Sequence, residues 1–152
     1  MHTEILGGNL VKSILLVEDS RFLRRAMEQV LVRAGYSIVS ASDGEEALNS
    51  ANASVPDLIL LDMLLPKLGG PEVLHALKTN PLTAHTPVIV LSSLSQKNET
   101  KFKSLGAAAY VEKSKLGSDQ CFESLIKIVN RTLECAAESD DKEGSPSGTG
   151  PK

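Results

Sequence analysis

The stretch PDLILLDMLLPKLGG, residues 56–70, holds an unbroken apolar run, Leu58-Ile59-Leu60-Leu61, that stops at the carboxylate Asp62 and passes into a Pro/Gly loop. An apolar run without alternation reads as a strand buried on both faces, so Asp62 falls at its carboxyl edge. KSILLVEDS at 12–20 repeats the pattern, with Ile14-Leu15-Leu16-Val17 followed by Glu18 and Asp19. Open α/β sheets bind ligands at that edge. Three carboxylates gathered there repel one another unless a hard cation neutralises them, and an oxygen-ligand site that retains waters suits Mg²⁺.

Outward from these two strands, β-like runs alternate with amphipathic helical patterns, the signature of a parallel sheet covered on both faces. The first strand is expected at 12–17. Ser20 is the expected N-cap of a helix carrying Phe22, Leu23, Ala26, Met27, Val30 and Leu31 at helical spacing, closed by Gly35. A short strand over 36–41 leads to a helix at about 45–51, and the third strand is expected at 57–61. The third helix has Pro71 in its first turn, where a missing N–H costs nothing. A fourth strand is expected at 88–91 and a fifth at 108–111. The helix between them, about 95–105, has few apolar residues beyond Leu94, Phe102 and Leu105, so its packing should be shallow and its position adjustable. Phe122, Leu125, Ile126, Val129 and Leu133 form the stripe of a last helix. The expected organisation is an N-terminal extension at 1–10, one domain at 11–135 and a disordered tail at 136–152, since ESDDKEGSPSGTGPK has almost nothing to bury.

The 152 residues, 41% of them hydrophobic, suffice for one core without staples. Cys121 and Cys135, fourteen apart on one helix, stand about 21 Å from each other and cannot bridge within it. No apolar run is long enough to span a membrane and the N-terminus does not resemble a secretory signal, so a reducing cytoplasm is the expected compartment, with no membrane insertion. Of the net charge of −3, the tail supplies most; the remainder holds 15 acids and 14 bases. Without Trp, or aromatics interleaved with basic residues, direct nucleic-acid binding is not expected. His2, His75 and His85 lack ligand-like spacing.

Ser92 follows VIVL and Lys113 follows AAYVE, each at a strand end. With LLVEDS at 15–20, PDLILLDMLLPKLGG at 56–70, PVIVLSS at 87–93 and LGAAAYVEKS at 105–114, the chain resembles the receiver domain of two-component response regulators over about residues 11–135. The resemblance implies a flavodoxin-like, doubly wound five-stranded parallel sheet of order 2-1-3-4-5 with five helices. It also implies that Asp62 accepts a phosphoryl group from a histidine kinase or a histidine phosphotransfer protein. Mg²⁺ would be bound by Asp19, Asp62 and the backbone carbonyl of Leu64, with Glu18 acting through water. Lys113 would supply a second cation to the phosphoryl oxygens, and Ser92 a hydroxyl. Tyr110 matches the switch aromatic that turns inward when Ser92 is drawn to the phosphate. The surface of the fourth helix, fifth strand and fifth helix, carrying Lys97, Lys101, Lys103 and Tyr110, would then meet a downstream partner or form a phosphorylation-dependent homodimer, or the chain would relay the phosphate as an intermediate carrier.

Each of these residues has a bland reading alone: Glu18-Asp19 as a helix-dipole pair, Lys113 as a solvated lysine, Ser92 as a loop residue, Tyr110 as core, and the three lysines as a plain solvated face. Joint occurrence favours the functional one. Three positions depart from the family pattern. Ser114 replaces the usual proline after Lys113, so a trans bond is compatible, a cis bond before a non-proline costing about 2.5–4 kcal/mol. Leu64 and Leu94 are apolar where the family tunes acyl-phosphate hydrolysis, so a long-lived phosphorylated state is expected. Ser93 replaces a frequent alanine, with small effect. The expected chemistry is self-phosphorylation and slow autodephosphorylation, in a stand-alone receiver or a piece of a longer regulator. Alternatives are a constitutive binding module that is never phosphorylated, and a Mg²⁺-dependent phosphatase with an aspartate nucleophile; the latter resembles haloacid-dehalogenase-like enzymes, whose second Asp is here Leu64.

Overall fold

The computed structural model describes residues 5–6, 9–93, 99–116 and 119–144. Five parallel strands form the sheet: β1 (Ser13–Val17), β2 (Ser37–Ala41), β3 (Leu58–Asp62), β4 (Val88–Ser92) and β5 (Ala109–Glu112), in the order β2-β1-β3-β4-β5. The helices are α1 (Arg21–Arg33), α2 (Gly44–Ala53), α3 (Gly70–Thr79), α4 (Glu99–Ser104) and α5 (Asp119–Gly144). Ile5–Leu6 and Asn9–Leu10 pair antiparallel ahead of the sheet.

The three central strands bury nearly every residue because both faces are covered. On one face Leu15, Val17, Ile59, Leu61, Val88 and Val90 pack with α2, α3 and Phe102 of α4. On the other, Ile14, Leu16, Leu58, Leu60, Ile89 and Leu91 meet Met27 and Leu31 of α1 and Leu125 and Val129 of α5. Alternate residues of each strand thus serve opposite layers, which is why the runs carry no polar interruption.

Ser20 caps α1, its hydroxyl accepting the Leu23 N–H at 3.3 Å, and Asp43 caps α2 through the Glu46 N–H at 2.8 Å. Helices close before Gly35 (φ +101) and Gly106 (φ +109). Within α4 only Phe102 is buried, in keeping with the shallow packing expected; Leu94 and Lys97 lie outside the described residues.

Several boundaries differ from expectation. β3 and β4 include Asp62 and Ser92, because Asp62 stays in register with Leu91, and Ser92 with Glu112. α5 passes the boundary expected at residue 135 and runs to Gly144. Ala136, Ala137, Glu138, Lys142 and Glu143 are good helix formers that continue an established helix, and Gly144-Ser145-Pro146 supplies the stop signal. The remainder of the tail, 145–152, lies outside the described residues.

Candidate functional site

Register explains why the polar residues meet. Val17 is level with Leu61 on neighbouring strands, so Glu18 and Asp62 come next together, while Asp62 is level with Leu91 and Ser92 follows. Lys113 opens a short 3₁₀ turn directly after β5 and reaches back over the sheet edge. Its Nζ lies 3.0 Å from Asp62 Oδ2 and 3.2 Å from Glu18 Oε2. The Lys113–Ser114 bond is trans, and no cis bond occurs among the described residues.

Asp62 is buried, and its other oxygen, Oδ1, accepts the Leu64 N–H at 3.2 Å. Glu18 is buried too. Its Oε2 accepts the Ser20 N–H at 3.0 Å, its carbonyl accepts a guanidinium N–H of Arg24 at 2.7 Å, and its own N–H donates to the Ala41 carbonyl at 3.0 Å. Glu18 Oε1 is buried with no hydrogen-bond partner among the described residues. Asp19 is exposed at the rim, and ligand oxygens from Glu18, Asp19 and Asp62 all lie within 4.8 Å of one another.

The electrostatics follow from this crowding. Burial, then the charge on Asp62, pushes the Glu18 carboxyl up to about 7, and the Ser20 amide and Lys113 only partly offset them. Burial works against the Lys113 charge, yet Asp62 and Glu18 together hold its pKa above the ordinary lysine value. One ammonium thus serves two buried carboxylates, and a third acid stands beside them. A divalent cation fits this arrangement on two counts: the donors are hard oxygens, and Glu18 Oε1 is a buried acceptor that no group among the described residues satisfies.

Ser92 is buried at the end of β4, beside the strand end that carries Asp62. Tyr110, expected on the partner-facing surface, is instead only 6% exposed. Its ring stacks on Phe102, centroids 5.7 Å apart and planes 12° from parallel, so burial and stacking together draw it off the surface. Lys101 lies over the Phe102 ring at 5.9 Å, and Lys103 pairs with Glu99 at 2.7 Å, so neither lysine is simply solvated. The Leu64 side chain is 67% exposed and offers no acid to Asp62. Sequence reasoning missed Arg24, whose signal was its place on the first turn of α1 above Glu18, and Phe102 as the partner of Tyr110.

Residues 14–123 match the response regulator receiver domain family. The chain is 40% identical over 117 residues to the gliding motility regulatory protein of Myxococcus xanthus, covering 76% of this chain but only 15% of that protein. It is 33% identical over 105 residues to the polar-differentiation response regulator DivK of Brucella ovis, covering 68% of this chain and 85% of that one. The chemotaxis response regulator CheY4 of Vibrio cholerae superposes with a TM-score of 0.72 at 28% identity, covering 80% of this chain and 98% of that one.

Proposed function

The chain belongs to the response regulator receiver domain family of two-component systems, and from that premise we propose that it is a phosphorylation-dependent switch whose phosphoacceptor is Asp62. The observation that carries this reading is the meeting of two buried carboxylates on one ammonium, beside a buried carboxylate oxygen that has no partner among the described residues.

In this reading an Asp62 oxygen attacks the phosphorus of a phosphohistidine on a kinase or phosphotransfer protein. The O–P bond forms as the P–N bond breaks, and the imidazole leaves with the electron pair and takes up a proton. A carboxylate needs no base for this. The Leu64 amide and the Lys113 ammonium, one on each Asp62 oxygen, hold the carboxylate in a fixed orientation. Asp19, Asp62 and the Leu64 carbonyl would hold Mg²⁺, with Glu18 acting through water; the ion supplies positive charge to the transferring oxygens. Lys113 provides a second cation to the same oxygens, which disengages it from Asp62. Ser92 then donates its hydroxyl to the bound phosphoryl group, shifting the loop that leads into α4.

The output is a changed α4–β5–α5 surface, carrying Lys101 and Lys103, that meets a downstream protein or a second copy of the chain. The Phe102–Tyr110 stack supports this path because it links α4 directly to β5, the strand that leads into Lys113. The exposed apolar Leu64 offers an attacking water no polar partner, so the acyl phosphate is long-lived. The compartment that goes with an ATP-dependent kinase is the cytoplasm.

The test is intact-protein mass after incubation with an acyl-phosphate donor, with and without Mg²⁺. A gain of one phosphoryl group that needs Mg²⁺ and is absent from Asp62→Ala supports the proposal. No gain in folded wild type, or an equal gain in the variant, contradicts it.

A further inference from the structure

Asp43 divides its two carboxylate oxygens between two elements. Oδ1 accepts the Glu46 N–H at 2.8 Å and caps α2, while Oδ2 lies 3.5 Å from Nζ of Lys67, in the loop that follows Asp62. Lys67 has φ +67, a left-handed conformation that a residue with a Cβ keeps only where its surroundings hold it. Next to it, the Leu68 carbonyl oxygen comes within 2.1 Å of the place a Cβ on Gly44 would take, so the loop rests directly on the first residue of α2. At the start of the loop the Leu64 N–H holds Asp62 Oδ1. At its end the Gly70 N–H returns to the Met63 carbonyl at 3.2 Å. The loop is therefore seated on α2 at its middle and hydrogen-bonded to the buried carboxylate at its beginning.

We propose that Asp43 and Lys67 are positioning residues for the phosphoacceptor site, their ion pair fixing the loop that presents the Leu64 amide and carbonyl beside Asp62. The inference rests on the proposed Mg²⁺ site at Glu18, Asp19 and Asp62. Neither residue touches the reacting atoms. The Lys67 side chain is 59% exposed and that of Asp43 15%, so the pair adds little to overall stability. Its effect is geometric: it selects the left-handed turn at Lys67, and the turn sets where Leu64 stands.

Two variants separate positioning from simple charge. Asp43→Asn keeps an oxygen to cap α2 but turns an amide toward the lysine; Lys67→Met keeps a long side chain and removes its charge. Long-range electrostatics alone gives opposite signs, since losing an anion weakens cation binding and losing a cation strengthens it. Positioning gives the same sign for both.

The experiment is a titration of the 152-residue chain with Mg²⁺ alone, followed by amide NMR shifts, on wild type, both variants and the double variant. Both single variants are expected to bind Mg²⁺ about tenfold more weakly, at the lower end of effects seen when a ligand's supporting partner is lost, and the double variant no more weakly than either. Tighter or unchanged binding in Lys67→Met overturns the inference while leaving the metal site standing. A wild type with no saturable response overturns the metal site itself, and the inference with it.

Discussion

Glu18 illustrates at the residue scale the cost of crowding buried carboxylates together. Its burial and the Asp62 charge outweigh Lys113, which is why its carboxyl is pushed up to about 7. Replacing the carboxylate with a neutral isostere removes that burden. Glu18→Gln is expected to raise the melting temperature without Mg²⁺ at pH 8 by about 2–4 °C, roughly 1 kcal/mol for a chain of this size, while weakening Mg²⁺ binding. A scan with and without the ion checks both signs, and a lower melting temperature without Mg²⁺ would contradict this account of the crowding. Asp43 titrates in the opposite sense: the Glu46 amide first, with Lys67 contributing, holds its carboxyl below the ordinary aspartate value. Its contribution to stability is thus fully present above the unfolded value and is lost as pH falls from there through the lower folded value. Asp43→Asn should flatten the acid limb of the stability curve below pH 3.8 and leave the curve near neutrality almost level; an unchanged acid limb in denaturant titrations would refute this.

Two elements carry the proposed coupling between site and surface, and they differ in how firmly they are held. α4 is attached mainly through Phe102, so Phe102→Ala should lower stability by about 3 kcal/mol and raise amide exchange in 99–104 well above that in α1 and α3. Uniform loosening across all helices would show that α4 is no separate unit. The loop between β3 and α3 is tightly seated by contrast. A Cβ on Gly70 would stand 2.4 Å from Met63 Cα and 2.6 Å from the Asp62 carbonyl oxygen, both backbone atoms that no side-chain rotation can clear. Gly70→Ala is therefore expected to cost about 1–3 kcal/mol and to reduce the rate of phosphorylation, because the relief must come from moving the backbone at Asp62 itself. A neutral effect on both would mean that the chain bends elsewhere at no cost.

The molecule as a whole was legible in sequence to the extent that burial wrote itself into unbroken apolar runs. Leu58 to Leu61 and Val88 to Leu91 announced strands covered on both faces, and their order brought Glu18, Asp19, Asp62, Ser92 and Lys113 to one edge. Ends of elements were less visible. Strand ladders extend through pairing with neighbours, as at Asp62 and Ser92, and α5 continues past the apolar stripe of its sequence because helix propensity persists there. Contacts between distant or unremarkable residues were not legible at all. Nothing in Lys67 advertises a left-handed turn, and Tyr110 gave no sign that its ring would stack on an aromatic from another element. The central claim joins these scales: a phosphoryl group on Asp62 alters the surface of α4 and β5. Amide NMR spectra of wild type and Asp62→Ala, each with Mg²⁺ before and after an acyl-phosphate donor, test it most directly. The account predicts wild-type shifts at 88–93 and throughout 99–112 as well as around Asp62, and none of these in the variant. Shifts confined to the immediate neighbours of Asp62 in a phosphorylated wild type would contradict it.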